Sequence, residues 1–135
     1  MKGAVLGRIR VLIADDNAIV RVDLPKLLDL EGDMEVVGVA GDGKEAVELF
    51  DRLKPDVTVM DITMPRVDGI KATRQITSEN PDAKVVMLSI HDTQKYKDES
   101  LKAGARAYLI KSTLFEELTE TIRRISKEEY RSASL

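Results

Sequence analysis

The sequence predicts an α/β fold, a doubly wound parallel sheet with helices on both faces. Two observations carry this expectation. Five short apolar runs, rich in Val, Ile and Leu, do not alternate with polar residues, as expected for parallel strands covered on both sides. Between them lie segments of helical length and period, so that five βα units follow one another in strict alternation. Such alternation argues a parallel sheet joined by right-handed crossovers.

The elements follow in order. The first run, Ile9–Ala14, leads to a helical segment marked by Ile19, Val22, Leu24, Leu27 and Leu28 and closed by Gly32. Pro25 falls inside this segment, where it removes a backbone donor and crowds the carbonyl of Arg21. The expected helix is therefore kinked or split into two pieces. The second run, Glu35–Ala40, precedes Ala46, Val47, Leu49, Phe50 and Leu53, stopped before Pro55. The third, Asp56–Met60, precedes Ile70, Thr73 and Ile76, ending near Asn80-Pro81. The fourth, Lys84–Leu88, leads to a thinner helix from about Gln94 to Ala103, capped by Gly104. The last, Arg106–Leu109, leads to Leu114, Leu118, Ile122 and Ile125.

A length of 135 residues suits one domain with a single sizeable core. The core is expected over about residues 8–126, with 127–135 a helix end or the start of a linker and no output domain in the chain. Apolar residues at 43% and charged ones at 33% describe a globular protein rather than a disordered one. With 21 basic and 24 acidic residues, the net charge of −3 gives no basic field for nucleic acid. Arg123, Arg124, Lys127 and Arg131 form a basic stretch, but Glu116, Glu117, Glu120, Glu128 and Glu129 interleave it as on a solvated helix face. There is no cysteine, which excludes a disulfide scaffold and thiolate chemistry. The apolar runs reach only about five residues, far short of the roughly 18 that span a bilayer, and the N-terminus lacks a signal-peptide pattern. A cytoplasmic protein without membrane contact is expected.

Ligands of open α/β sheets bind beyond the carboxyl ends of the strands. After the first strand come Asp15, Asp16 and Asn17; after the third, Asp61; after the fourth, Ser89 and His91; after the fifth, Lys111 and Ser112. If the first and third strands are neighbours, three carboxylates converge with a hydroxyl and an ammonium beside them. Packed carboxylates repel unless a cation joins them. With no Cys and one His, hard oxygen donors suit Mg²⁺, or Mn²⁺ in its place. Taken singly, each residue has an ordinary reading: Asp15 or Asp16 as a helix cap, Asp61 as a turn former, Ser89 as a turn residue, Lys111 as a solvated charge. Their joint placement at one sheet edge points instead to phosphoryl transfer onto an aspartate.

In combination, "VLIADDN" at 11–17, "PDVTVMDITMPRVDGI" at 55–70, "VVMLSIHD" at 85–92 and "AGARAYLIKS" at 103–112 resemble the receiver domain of two-component response regulators. The likeness runs from about Arg8 to Arg124 and is similar in style to the subfamily with a C-terminal helix-turn-helix (NarL/FixJ-like). It implies a flavodoxin-like (βα)5 sandwich with strand order 2-1-3-4-5. It further implies Asp61 as phosphoacceptor and Asp16 as direct Mg²⁺ ligand, with Asp15 acting through water and the Thr63 carbonyl completing the set. Lys111 would pair with the phosphoryl group, Ser89 would be the switch hydroxyl, and Tyr108 the aromatic that moves with it. Thr63 and His91 occupy positions that tune hydrolysis of the aspartyl phosphate, although a lone loop His is also simply solvated. Asp68 is expected to cap the third helix, and Gly69 to allow a close backbone approach. The implied partners are a sensor histidine kinase, an effector domain or protein, and a second copy of the chain after phosphorylation. Such a protein is no ordinary enzyme, but catalyses its own phosphorylation and dephosphorylation.

Three rival functions share parts of this pattern. An aspartate-nucleophile phosphatase needs a second acid two residues on, where Thr63 stands. An FMN binder needs a phosphate cradle of hydroxyls, glycines and amides, which "ADDNA" at 14–18 does not offer. A phosphorylation-independent interaction module of the same fold stays open.

Overall fold

The computed structural model describes residues 7–128. In chain order the elements are β1 (Ile9–Ala14), α1 (Ala18–Asp29), β2 (Met34–Ala40), α2 (Gly43–Leu53), β3 (Val57–Met60), α3 (Gly69–Glu79), β4 (Val85–Ser89), α4 (Gln94–Lys102), β5 (Ala107–Ile110) and α5 (Phe115–Ser126). All sheet pairs are parallel, in the spatial order β2-β1-β3-β4-β5. Strand order 2-1-3-4-5 is thus the one the resemblance implies.

Alternate residues of each inner strand feed two separate cores. Val11, Ile13, Val57, Val59 and Val86 pack with Leu24 and Leu28 of α1 and Leu118, Ile122 and Ile125 of α5. Leu12, Ala14, Met60, Val85 and Met87 pack with Phe50 of α2, Ile70 and Ile76 of α3, and Ala103 behind α4. Burial on both faces explains the unbroken apolar runs. The helix ends follow local chemistry. Asn17, Asp42, Asp68 and Thr93 accept backbone N–H groups at the starts of α1, α2, α3 and α4. Gly104, at φ 110°, closes α4 with its N–H on the Leu101 carbonyl, while the Ala105 N–H reaches Ser100.

Three expectations need correction here. Pro25 does not split the first helix: α1 is one unbroken segment. Leu24 and Leu28 flank the proline and are both buried against the sheet, so packing holds the helix through the lost Arg21 hydrogen bond. The cap of α1 is Asn17 rather than Asp15 or Asp16, which leaves both acids available at the strand end. Arg123 is also more than a solvated charge, since it bonds Asp33 and Glu31 across from α5. Of the expected helix end or linker, Lys127 caps α5, and 129–135 lie outside the described residues. Among the described residues, no helix is long and apolar enough to cross a membrane.

Candidate functional site

The register of β1 and β3 brings the acids together. Ala14 pairs with Met60, so the next residue of each strand leaves the sheet side by side. The Asp61 N–H donates to the Ala14 carbonyl at 2.9 Å, and the Asp15 N–H to the Ala40 carbonyl at 3.0 Å. Both side chains thus start from backbone that is hydrogen-bonded to the neighbouring strand. Asp15 is 2% exposed and Asp61 4%, whereas Asp16 faces solvent. One carboxylate oxygen from each of the three lies within 4.8 Å of the others.

Lys111 arrives from the end of β5. Its Nζ stands 2.8 Å from Asp15 Oδ2 and 3.5 Å from Asp61 Oδ2, and its backbone N–H donates to the Ser89 carbonyl at 2.7 Å. Burial pushes the Asp61 carboxyl up to about 6, with the neighbouring Asp15 charge adding to the rise and Lys111 opposing it. Burial alone would lower the Lys111 ammonium, but its contacts with Asp15 and Asp61 outweigh this and hold it above the usual lysine value. Three carboxylates against one ammonium leave the cluster short of positive charge. All donors in it are hard oxygens, and no thiol exists in the chain. The cluster is thus suited to hold a metal ion, and its donor set is that of a hard divalent cation.

The loop after Asp61 is anchored by main chain. The Gly69 N–H donates to the Ile62 carbonyl at 2.7 Å, and a Cβ on Gly69 would collide with the Asp61 carbonyl oxygen. Only glycine permits this approach. Asp68 Oδ1 then caps α3 through the Lys71 N–H at 2.8 Å. Ile62 and Met64 are buried in the core, while Arg66, at φ 68°, pairs with Asp42 across the loop. Met64 therefore shapes the loop from inside.

The loop after β4 is bound to the same region. Ser89 is fully buried, and its Oγ accepts the His91 N–H at 3.0 Å. The Tyr108 hydroxyl donates to the His91 carbonyl at 2.8 Å. The His91 ring is hydrogen-bonded through Nε2 to Thr63 Oγ1 at 2.8 Å and stacks on Tyr96 with ring centres 4.4 Å apart.

The family model "Response regulator receiver domain" matches residues 11–123. This chain belongs to that family. The receiver is 43% identical over 122 residues to the transcriptional regulatory protein YxjL of Bacillus subtilis (strain 168), covering 90% of this chain and 56% of that protein. It is likewise 43% identical over 123 residues to LiaR of the same organism, covering 90% of this chain and 57% of LiaR. The chain thus spans about half the length of the curated relatives it matches. Among solved structures, the receiver domain of the response regulator NarL from Mycobacterium tuberculosis superposes with a TM-score of 0.86 at 30% identity, covering 90% of this chain and 98% of that one.

Within this receiver, Asp15, Asp16, Asp61 and Lys111 come together at one sheet edge, as the strand ends foretell. Ser89, Tyr108, Thr63 and His91 form a second, linked group beside them. His91 is not the solvated loop residue of the ordinary reading, because its ring and both backbone groups are engaged. Sequence reasoning missed Arg21, whose Nη1 donates to the Asp15 carbonyl at 3.0 Å. Its signal was position: one turn into α1, a side chain tilts back toward the preceding loop.

Proposed function

We propose that this receiver takes a phosphoryl group from a sensor histidine kinase onto Asp61, with Mg²⁺ or Mn²⁺ bound beside it. The observation that carries the reading is the meeting of Asp15, Asp16 and Asp61 oxygens within 4.8 Å, with Lys111 bridging two of them. Asp16 would hold the ion directly, Asp15 through water, and Asp61 with the Thr63 carbonyl would complete the protein ligands. When bound, the ion supplies positive charge against the phosphoryl oxygens. An Asp61 oxygen attacks phosphorus as the bond to the donor breaks, leaving an acyl phosphate on the carboxylate. Burial and Asp15 disfavour the ionised, nucleophilic form of Asp61, and Lys111 opposes them.

The same reading assigns the switch. Lys111 pairs with the new phosphoryl group, Ser89 turns its hydroxyl proton toward a phosphoryl oxygen, and Tyr108 changes position with it. Thr63 and His91, at the rim, tune hydrolysis. The resulting bias acts on the face of α4, β5 and α5, which then engages an effector or a second copy of the chain. The relatives' names support transcription as the output, carried by an effector domain rather than by direct nucleic-acid contact of these residues. Such signalling takes place in the cytoplasm.

Incubation with Mg²⁺ and acetyl phosphate, followed by intact-mass measurement, is expected to add one phosphoryl group. Asp61→Asn should abolish the adduct. Labelling of that variant at the wild-type level would show the acceptor assignment to be wrong. A wild-type protein that neither labels nor binds Mg²⁺ would favour the interaction module.

A further inference from the structure

The rim of the site contains a residue whose contacts reach further than its chemistry suggests. Four hydrogen bonds and ring contacts converge on His91. Its N–H donates to Ser89 Oγ, its carbonyl accepts from the Tyr108 hydroxyl, its Nε2 bonds Thr63 Oγ1, and its ring lies on Tyr96. These partners belong to four different segments: the end of β4, strand β5, the loop after Asp61, and the first turn of α4. The His–Tyr planes meet at 25°, a stacked arrangement that adds dispersion to the hydrogen bond on the other side of the ring.

The consequence for Ser89 is geometric. Its oxygen accepts from the His91 backbone, so the hydroxyl keeps its own proton to donate. The direction of that proton depends on where the His91 peptide sits. That peptide is held by the Thr63–His91–Tyr96 bridge on one side and by Tyr108 on the other. Beside the bridge opens a cleft of about 450 Å³ lined by Thr63, Met64, Arg74, Tyr96 and Glu99.

We propose that His91 is a positioning residue whose bridge between Thr63 and Tyr96 fixes the loop after β4, and with it the Ser89 hydroxyl, against Asp61. It thereby couples the acceptor loop mechanically to the first turn of α4. This inference rests on Asp61 being the acceptor. It deepens that reading by naming what holds the switch hydroxyl in place before phosphoryl transfer.

A mutant cycle tests the bridge. Thr63→Val keeps the shape and removes the hydroxyl, and His91→Phe keeps the stack and removes the nitrogen. Each should slow labelling by acetyl phosphate with Mg²⁺ by about three- to ten-fold, the scale of one net hydrogen bond. Because both delete the same contact, the double variant should be no slower than either single one. His91→Gln, whose side-chain amide can still bond Thr63 but cannot stack on Tyr96, should label faster than His91→Phe yet slower than the wild type, which a merely structural role would not predict. Backbone amides of Tyr96 and Lys97 should exchange with deuterium faster in the single variants. Single effects that multiply in the double variant, or singles that label at the wild-type rate with unchanged exchange, overturn the proposal while leaving Asp61 as acceptor. A wild-type protein that never labels overturns both.

Discussion

Two groups of acids each gather around one cation in this receiver, and they are built to opposite ends. At the sheet edge, buried Asp15 and Asp61 share Lys111, with the exposed Asp16 carboxylate beside them. On the side, Asp33 and Glu31 share Arg123, whose Nε lies 2.7 Å from Asp33 Oδ2 and whose Nη2 lies 2.7 Å from Glu31 Oε1. A second Nη2 contact, 3.1 Å to Asp33 Oδ1, makes the Asp33 pair bidentate. The Arg123 hydrogen bonds hold the Asp33 carboxyl below its ordinary value, and the Asp33 side chain remains 45% exposed. Burial and like charge push Asp61 the other way, to about 6. The first cluster is left needing positive charge, and the second already has enough. Local stability and readiness for chemistry are thus separate outcomes of the same residue types.

The largest break of the comparison is to supply what the first cluster lacks. Mg²⁺ at about a hundredfold over its dissociation constant should stabilise the wild type by about 2–3 kcal/mol. The gain should vanish on chelation and in Asp16→Asn, but survive in Asp33→Asn. Thermal melts with and without chelator measure it, and equal shifts in Asp16→Asn and wild type would remove Asp16 from the metal site.

A sharper contrast comes from pH. The folded value of Asp61 lies above the ordinary 3.8, so its contribution to stability is present below about pH 4 and is lost as pH rises through about 6. Asp33 has the opposite sign: its contribution is present above about pH 4 and is lost as pH falls through its lowered folded value. In metal-free urea titrations between about pH 5 and about pH 7.5, Asp61→Asn should therefore gain on the wild type as pH rises, by on the order of 1–2 kcal/mol. Parallel curves for the two proteins would mean that the buried acid is not strained in this way.

The smallest effect belongs to the satisfied pair. Asp33→Asn should cost less than about 1 kcal/mol, because the pair is half-exposed and screened by water. The loss should shrink further in high salt. A loss several times larger in denaturant titration would mark Arg123 as a structural anchor between α5 and the turn before β2.

How much of this could be read in the sequence follows from which contacts are local. The βα alternation, the acids after β1 and β3, and Lys111 after β5 are visible because strand ends of an open parallel sheet lie on one edge. Asp68 as a cap and Gly69 as a close approach are visible because both depend on neighbours within a few residues or on one backbone. Pro25 misleads because local propensity takes no account of Leu24 and Leu28 packing on either side of it. The engagement of His91 is hidden because its partners, Thr63 and Tyr108, lie 28 and 17 residues away on different elements. The grip of Arg21 on the Asp15 carbonyl is hidden for a different reason. It is close in sequence, but an arginine on a helix ordinarily points to solvent.

Gly69 has a consequence for anyone who would redesign this loop. Thr63, Met64, Arg66 and Asp68 each have a chemical task (in turn a hydrogen bond, a place in the core, an ion pair and a cap) that another residue of like chemistry could take over. At Gly69 the helix is hung from the peptide of Asp61 itself, with no space even for a methyl group. Those tasks can be handed to residues of like chemistry, while the pivot at Gly69 admits a single amino acid.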